Sequence, residues 1–340
     1  MKDIIITNMN KKVLITDYVW PTIEPEKTIL EKAGFELVVA PDDSEDTLVD
    51  LARDVNAIMF CFAQVTEKVL RNAKFCGVAS RYGIGVDNID ISVCTELGII
   101  VTNVPDYCID EVTDHAIGMI IALNRRLIPH NDMVTNGGWS SVALNKPMKR
   151  MNGKTFGIVG YGRIGRSIAQ KASVFGMNII AYDPLLDPGQ EIGHVKIVQF
   201  DQLVETSDFI TVHVPLTEET RGMFGRTELS SMKSGAIIVN AARGGLIDEY
   251  ALADSLASEH LGGAGLDVME PTPPKPDHPL LKQENVIITP HTAFFSQDST
   301  LELETRTAQE VVRVSNGEMP ENLINPDVIG RTRIDVGIAN

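Results

Sequence analysis

Short apolar runs alternate with amphipathic segments over the first hundred residues of the chain. The apolar runs have the length of buried strands, and the segments between them carry apolar positions at helical spacing. Strands that alternate with helices predict a parallel sheet covered on both faces. The predicted strands are 13–16, 37–40, 57–60, 77–80 and 99–102, and the predicted helices are 25–33, 45–53, 66–72 and 88–96.

The same alternation returns after residue 154, behind one long helical pattern over 110–135 that ends at Gly137 and Gly138. Glycine commonly closes a helix, because it adopts the left-handed backbone conformation without strain. A chain of 340 residues is expected to form two domains. We therefore predict two α/β units. The strands of the second are predicted at 156–159, 178–182, 196–198, 209–214, 236–240, 263–268 and 286–289, and a final helix at 299–314.

The segment 156–184 has the order strand, glycine turn, helix, strand, acid. Gly160, Gly162 and Gly165 stand in G-x-G-x-x-G spacing. In that order they allow a tight turn, a close approach of phosphate to the backbone, and close packing of the helix on the strand. The N-terminus of the helix offers free N–H groups to a pyrophosphate. A glycine triplet alone also occurs by chance in loops, but with both strands and the helix it predicts a dinucleotide site.

Asp183 ends the second of these strands, 23 residues after Gly160 (183 − 160). A carboxylate at this position accepts hydrogen bonds from the adenosine ribose and repels the extra phosphate of NADP. Pro184, Leu185 and Leu186 supply no compensating cation. The sequence therefore predicts NAD as the cofactor.

Three later strands lead into turns that carry reactive side chains. Arg243 follows 236–240, Asp267 and Glu270 lie at the end of 263–268, and His291 follows 286–289. Ligands of open parallel sheets bind outside the carboxyl ends of the strands, so we expect the chemistry in these turns. A structural salt bridge for Arg243 and a structural role for His291 are the alternatives.

Arg243, His291 and Glu270 together match the needs of 2-oxo acid reduction. A guanidinium holds a carboxylate with two parallel hydrogen bonds. Histidine titrates near neutral pH and can protonate the developing alkoxide, and a neighbouring carboxylate favours its charged form. We therefore predict hydride transfer between a nicotinamide and a small 2-hydroxy or 2-oxo acid.

Composition and charge argue against several other classes of protein. A formal net charge of −16 opposes a nucleic-acid partner, which would need clustered lysine and arginine. The longest later apolar run, 116–123, is too short to span a bilayer, so we expect no membrane partner. Metal-ligand and C-x-x-C spacings are missing among the cysteines. We therefore expect no metal, and reduced thiols in a cytoplasmic protein, at Cys61, Cys76, Cys94 and Cys108.

Six motifs occur in sequence along the chain: SRYGIGVDNID, GYGRIG with Asp183, VHVPLTEETRG, NAARGGLID, AGLDV and TPHTAFFS. They are similar, in the same order, to those of the D-isomer-specific 2-hydroxyacid dehydrogenase family, from about residue 13 to residue 326. This family includes phosphoglycerate dehydrogenase, glyoxylate/hydroxypyruvate reductase and the C-terminal-binding-protein corepressors. The resemblance implies two Rossmann-like domains. A doubly wound NAD-binding domain (105–296) would be inserted into a flavodoxin-like substrate domain (1–104 and 297–340), and the cofactor domains would form most of a homodimer interface.

The resemblance also implies roles for single residues. Arg243 falls at the position of the substrate-carboxylate arginine and His291 at that of the proton donor. The loop that contains Arg81, Gly83 and Ile84 matches a substrate-domain loop whose backbone N–H groups face the carboxylate. Residues at cofactor-contact positions are Arg163, Ile164, Asp183, Val214, Pro215, Thr220, Ala241, Ala242 and Asp267.

One position departs from the family pattern. The catalytic glutamate of the family usually comes five residues after the aspartate of the AGLDV-type strand, and this position is Thr272 (267 + 5). Glu270 lies two residues earlier. A threonine can hydrogen-bond His291 but cannot hold its charge. We favour Glu270 as the partner of His291, and a histidine without a carboxylate partner is the alternative.

Two functions are compatible with these residues. The first is an NAD-dependent dehydrogenase of a small D-2-hydroxy acid. The alternative is an NADH-gated binding protein like the corepressors of this family, which the missing glutamate supports and the retained Arg243 and His291 oppose. Which acid would be the substrate stays open. A phosphate-bearing one would need further cations, and the candidates are Arg81, Lys146, Lys149 and Arg150.

Overall fold

The computed structural model describes residues 11–140 and 148–337. The chain divides into two compact units. The first combines the segment up to Tyr107 with the segment from Ser296, and the second runs from Cys108 to Phe295. Both units are α/β with parallel sheets, which confirms the predicted fold class. No helix in the described ranges is both long enough and apolar enough to cross a membrane.

The first unit is a five-stranded parallel sheet of β1 (Lys11–Ile15), β2 (Phe35–Val39), β3 (Ala57–Phe60), β4 (Val78–Arg81) and β5 (Ile100–Thr102). The strands lie in the order β2-β1-β3-β4-β5, which is the order of flavodoxin-like sheets. One face of the sheet packs its buried aliphatic side chains against the helices at Glu45–Leu51, Glu67–Asn72 and Ile91–Leu97. The helices are α1 (Glu24–Lys32), α2 (Glu45–Leu51), α3 (Glu67–Asn72), α4 (Ile91–Leu97) and α11 (Gln297–Ser315), with 3₁₀ turns at Ala52–Asp54 and Pro326–Val328.

The second unit contains an eight-stranded sheet. Its strands are β6 (Thr155–Val159), β7 (Asn178–Tyr182), β8 (Glu191–Ile192), β9 (Val195–Ile197), β10 (Phe209–Val212), β11 (Ile237–Asn240), β12 (Gly263–Leu266) and β13 (Val286–Ile288). They lie in the order β13-β12-β11-β10-β6-β7-β9-β8. Strands β7 to β9 are added on one side of β6, and strands β10 to β13 on the other side. The order of the strands therefore reverses between β6 and β10, and doubly wound sheets bind ligands at this point. The antiparallel β8 was not predicted, because two residues carry no periodicity.

Helices cover both faces of this sheet. Alternate strand residues point to opposite faces, so Phe209 and Ile237 join one buried cluster while Ile210 and Ile238 join the other. This burial on both sides explains why the strands read as unbroken apolar runs. The helices are α5 (Ile109–Asn124), α6 (Leu127–Thr135), α7 (Arg163–Ser173), α8 (Phe200–Thr206), α9 (Arg226–Ser231) and α10 (Glu249–Ala257), with 3₁₀ turns at Gly244–Leu246 and Pro279–Lys282.

The single long helix predicted over 110–135 is wrong, because the structure has two helices there. Arg126 adopts a left-handed conformation with φ = 51° and separates α5 from α6. Pro129 gives the physical reason. It has no N–H to donate and is tolerated only in the first turn of a helix, so a new helix must begin shortly before it.

Candidate active site

The last residues of six neighbouring strands stand in one row across the sheet of the second unit. In order from β7 to β13, the register partners are Tyr182, Val159, Val212, Asn240, Leu266 and Ile288. The chain leaves this row into turns that begin at Asp183, Gly160, His213, Ala241, Asp267 and Thr289. Every predicted site residue of the second unit therefore lies in, or within a few residues of, a turn at one edge of the sheet.

The glycine turn after β6 is shaped by close backbone contacts. Gly160 has φ = 94°, and a Cβ atom on it would lie 2.7 Å from the carbonyl of His213. A Cβ atom on Gly165 would collide with the carbonyl oxygen of Gly160. Above Gly162, by contrast, a Cβ atom would have no atom of the described chain within 4 Å. The open side of the turn therefore lies at Gly162, where a phosphate would approach the backbone.

The N-terminus of α7 has the features of an anion site. The helix begins at Arg163 directly after Gly162, and no side chain of the described residues caps it. The N–H groups of its first turn and its partial positive charge point out of the glycine turn. Arg163 is exposed and Ile164 is half-buried. The residues present therefore fit the pyrophosphate of a dinucleotide.

Asp183 supports the glycine turn from the neighbouring strand. Its carboxylate accepts hydrogen bonds from the Tyr161 N–H at 2.8 Å and the Leu185 N–H at 3.0 Å. Each carboxylate oxygen has a further lone pair, so the half-buried group can also accept from a ribose hydroxyl. Asp183 thus fixes the turn and still fits the predicted adenosine site.

The turn after β10 contains Val214, Pro215 and Thr220. The Thr220 hydroxyl donates to the Pro215 carbonyl at 2.7 Å and accepts from the Thr217 N–H at 2.8 Å, which closes the turn. Val214 is buried, and its side chain borders Gly160. Burial lowers the pKa of His213 to about 4, so this imidazole is neutral near pH 7 and is a poor proton donor.

Asn240, the last residue of β11, holds the turn that carries Arg243. Its amide donates to the Arg243 carbonyl at 2.7 Å and accepts from the Ala242 N–H at 3.0 Å. The Arg243 guanidinium donates to the Ala242 carbonyl at 2.9 Å. Ala241, Ala242 and Arg243 are all half-buried. We call the two Asn240 bonds the Asn240 clamp. An asparagine before a turn commonly hydrogen-bonds the backbone two residues further along the chain, so the sequence held an indication of the clamp, although it was not predicted.

Asp267 fixes the turn that carries His291. Its buried carboxylate accepts hydrogen bonds from the Thr289 hydroxyl at 2.6 Å, the Thr292 N–H at 2.8 Å and the Ala293 N–H at 2.9 Å. The His291 N–H donates to the Asp267 carbonyl at 2.7 Å. His291 has φ = 55°, a conformation that costs a non-glycine residue about 1–3 kcal/mol. These bonds offset that cost and hold the backbone from which the imidazole extends.

Glu270 and Thr272, the two considered partners of His291, have bonds elsewhere. The half-exposed Glu270 carboxylate accepts from the Arg221 guanidinium at 2.7 Å, and the Thr272 hydroxyl donates to the Met269 carbonyl at 2.6 Å. The pairing of Glu270 with His291 stays a prediction. Sequence reasoning missed Arg221, because it lies 49 residues from Glu270 in the chain.

The loop after β4 lies in the first unit. The buried guanidinium of Arg81 donates to the carbonyl of Gly85 at 3.0 Å and to those of Phe60 and Tyr82. The Gly83 N–H donates to the Arg81 carbonyl at 3.0 Å, and the Ile84 carbonyl accepts from the Asn103 amide at 2.7 Å. Arg81 therefore gives the loop its shape, and its predicted contact with substrate stays a prediction.

Comparison with known proteins places these features in a family. Residues 117–293 match the model of the D-isomer specific 2-hydroxyacid dehydrogenase, NAD binding domain. The chain is 39% identical over 319 residues to the D-3-phosphoglycerate dehydrogenase of Methanocaldococcus jannaschii, covering 92% of this chain and 59% of that protein. It is 37% identical over 305 residues to the glyoxylate reductase of Korarchaeum cryptofilum, covering 87% and 91%. The NAD-dependent formate dehydrogenase of Staphylococcus aureus, solved in complex with NAD, has a TM-score of 0.83 at 29% identity, covering 92% and 98%.

The glycine turn, the uncapped helix and the strand order define an NAD-binding α/β protein. The chain belongs to the D-isomer-specific 2-hydroxyacid dehydrogenase family, and NAD is its cofactor, as predicted. It spans about three-fifths, 59%, of the length of two archaeal phosphoglycerate dehydrogenases that it matches.

Proposed function

We propose that the chain interconverts a small D-2-hydroxy acid and its 2-oxo acid with NAD. The row of strand ends carries this proposal, because it sets the Arg243, Asp267 and His291 turns side by side at the sheet edge that also holds the glycine turn. Family membership, with relatives named glyoxylate reductase and D-3-phosphoglycerate dehydrogenase, supports it.

In the proposed reaction NADH would supply the hydride for reduction of the 2-oxo acid, and NAD⁺ would accept it in the reverse direction. During reduction Arg243 holds the carboxylate of the 2-oxo acid, and His291 gives its proton to the oxo oxygen as the hydride reaches C2. The products are the 2-hydroxy acid and NAD⁺. The family resemblance implies a carboxylate contact for Gly83 and Ile84, whose loop Arg81 shapes, and this contact stays a prediction. The cofactor would be held by the glycine turn with Arg163 and Ile164, by Asp183, by the turn of Val214, Pro215 and Thr220, and by Ala241, Ala242 and Asp267.

We infer a small substrate without a phosphate group. Two of the four candidate cations are poorly suited to bind a phosphate, because Arg81 donates to backbone carbonyls and Arg150 is an exposed side chain with no observed role. Lys149 lies 3.6 Å from the carboxylate of Asp208. Asp208 directly precedes β10, so Lys149 lies at the edge of the sheet opposite to the row of strand ends. Lys146 lies outside the described residues.

Steady-state assays of NADH oxidation test the proposal. The substrates are glyoxylate, hydroxypyruvate, pyruvate, a bulkier 2-oxo acid and phosphohydroxypyruvate. We expect turnover of the small unphosphorylated acids. Tight NADH binding with no turnover of any of them would contradict the proposal and favour the NADH-gated binding protein, which a pull-down with NADH-loaded and apo protein would then test.

Glu270 is the proposed carboxylate partner of His291. Glu270→Gln is expected to lower, by roughly one unit, the apparent pKa of the group that must be protonated for 2-oxo acid reduction, because a carboxylate favours the imidazolium. The pH profile of kcat/KM measures it. Arg221→Gln removes the guanidinium that Glu270 contacts at 2.7 Å and should shift the same pKa upward. Unchanged profiles in both variants would mean that His291 works without this carboxylate.

We also propose a homodimer formed through the second unit. None of the nine residues of α6 is buried in the described chain, although Leu127, Ile128 and Val134 are apolar and 43–53% exposed. Trp139, shortly after the helix, is 89% exposed. A nine-residue helix is marginal in water without packing, and a second copy of the chain would supply that packing.

Light scattering coupled to size exclusion tests the homodimer. The wild-type protein is expected at twice the chain mass of 37.2 kDa. The double change Ile128→Glu and Trp139→Ser is expected to give the monomer mass, because it places a charge and removes an indole in the interface. Phe75→Ser, at a 54% exposed residue of the first unit, is the control and should leave the mass unchanged. A wild-type monomer, or a dimer that survives the double change, would refute this interface.

A further inference from the structure

A chain of three side chains links helix α5 to the turn that carries His291. His115 lies on α5, Thr289 comes directly after β13, and Asp267 comes directly after β12. The His115 Nε2 atom is 2.9 Å from the Thr289 hydroxyl, and that hydroxyl is 2.6 Å from the Asp267 Oδ1 atom. All three residues belong to the second unit.

The donors and acceptors that the three groups carry fix the direction of these hydrogen bonds. The Asp267 carboxylate only accepts, so the single proton of the Thr289 hydroxyl is donated to it. The Thr289 oxygen must then accept from His115, and the Nε2 atom of His115 therefore carries a proton. Both the neutral Nε2–H tautomer and the imidazolium meet this requirement. His115 donates to Thr289, and Thr289 donates to Asp267.

This direction matters for His291. Asp267 is 1% exposed, and its carboxylate also accepts from the N–H groups of Thr292 and Ala293, the two residues after His291. If His115 offered a bare nitrogen, the Thr289 proton would turn toward it and Asp267 would lose its shortest hydrogen bond. The carboxylate could then rotate away from the backbone that holds His291 at φ = 55°.

We propose that His115 is a positioning residue for His291 and acts through Thr289 and Asp267. The proposal rests on the proposed function, in which His291 gives the proton to the substrate. His115 itself touches neither the substrate nor the reacting atoms in this scheme. Its contribution is to keep the Thr289 hydroxyl, and hence the Asp267 carboxylate, in one orientation.

Two matched pairs of variants test the chain of hydrogen bonds by kinetics. His115→Leu and Thr289→Val remove one link each, whereas His115→Gln and Thr289→Ser keep an N–H or O–H group near the same place. We expect the first two to lower kcat by roughly ten- to a hundredfold, since a small misplacement of a catalytic group has effects of this size. KM should change little. The conservative variants should stay within roughly threefold of wild type, because their hydrogen bonds remain.

The double variant His115→Leu with Thr289→Val distinguishes one linked chain from two separate effects. In a linked chain the second change costs little once the first is made, so the two losses do not multiply. Multiplying losses, or a His115→Leu variant with wild-type kcat, would overturn the proposal. Thermal unfolding of each variant checks that the protein is folded. If a His115 variant does not fold, the comparison of Thr289→Val with Thr289→Ser tests the proposal.

NMR of ¹⁵N- and ¹³C-labelled histidine gives a readout that does not need turnover. In the wild type the His115 Nε2 is expected to be protonated across the stable pH range, and His115→Leu is expected to shift the Cε1–H signal of His291, assigned with a His291→Asn variant. A bare Nε2, or an unmoved His291 signal, would refute the positioning role. If the wild type reduces no 2-oxo acid, the proposed function fails while these signals still report the hydrogen-bonded chain.

Discussion

Replacing His291 by asparagine is expected to lower kcat for 2-oxo acid reduction by roughly 10²- to 10⁴-fold, the usual contribution of a general acid. Asparagine is chosen because His291 has φ = 55°, and asparagine tolerates this left-handed conformation better than most residues. The variant keeps the backbone bond from residue 291 to the Asp267 carbonyl, so the turn should persist. Because the lost interaction belongs to the transition state, kcat and kcat/KM should fall together.

Two measurements make this result specific. NADH affinity, measured by fluorescence titration, should stay near the wild-type value, because His291 is proposed to act on substrate. His194→Asn changes a histidine on the exposed turn between β8 and β9 and should leave kcat unchanged. A His291→Asn variant that retains kcat within a factor of roughly three would remove His291 from the role of proton donor.

The sheet of the second unit and its ligand edge could be predicted from the sequence because its central strands β6, β10, β11 and β12 are buried on both faces. Unbroken apolar runs therefore mark the strands, and the residue after each run marks the edge of the sheet. That is how Asp183, Arg243 and His291 were found, although they lie far apart in the chain. The register partners Val159, Val212, Asn240, Leu266 and Ile288 now show that their strands end level with one another.

The side-chain partners could not be predicted in this way. A strand pattern places a turn but gives no distance between two turns, so it could not indicate the hydrogen bond of Arg221 to Glu270, and the pairing of Glu270 with His291 stays a prediction. Asp267 was assigned to the cofactor on resemblance, and its hydrogen bonds to Thr289, Thr292 and Ala293 became visible only in the fold. The break at Arg126 depends on a backbone angle, for which Pro129 was the available indication.

Replacing Arg243 by alanine is expected to lower kcat/KM for glyoxylate by roughly 30- to 4,000-fold, which corresponds to about 2–5 kcal/mol for one partner of a desolvated ion pair. The strand β11 and the Asn240 clamp hold the backbone of this turn through the Ala242 N–H and the residue 243 carbonyl. Both bonds survive the substitution, so the loss should reflect the missing guanidinium. Arg243→Lys should fall between alanine and wild type, because an ammonium keeps the charge but not the two parallel hydrogen bonds.

The decisive comparison uses a substrate without a carboxylate. If Arg243 binds the carboxylate, Arg243→Ala should reduce turnover of glyoxylate far more than that of glyoxylamide, whose neutral amide offers no anion to the guanidinium. Arg226→Ala, which removes an exposed arginine 2.8 Å from Asp254, is the control and should affect neither substrate. Equal losses on both substrates would show that Arg243 serves the structure of the turn, because a purely structural defect does not distinguish an acid from its amide. A selective loss on the acid would mean that the arginine just after β11 recognises the substrate charge.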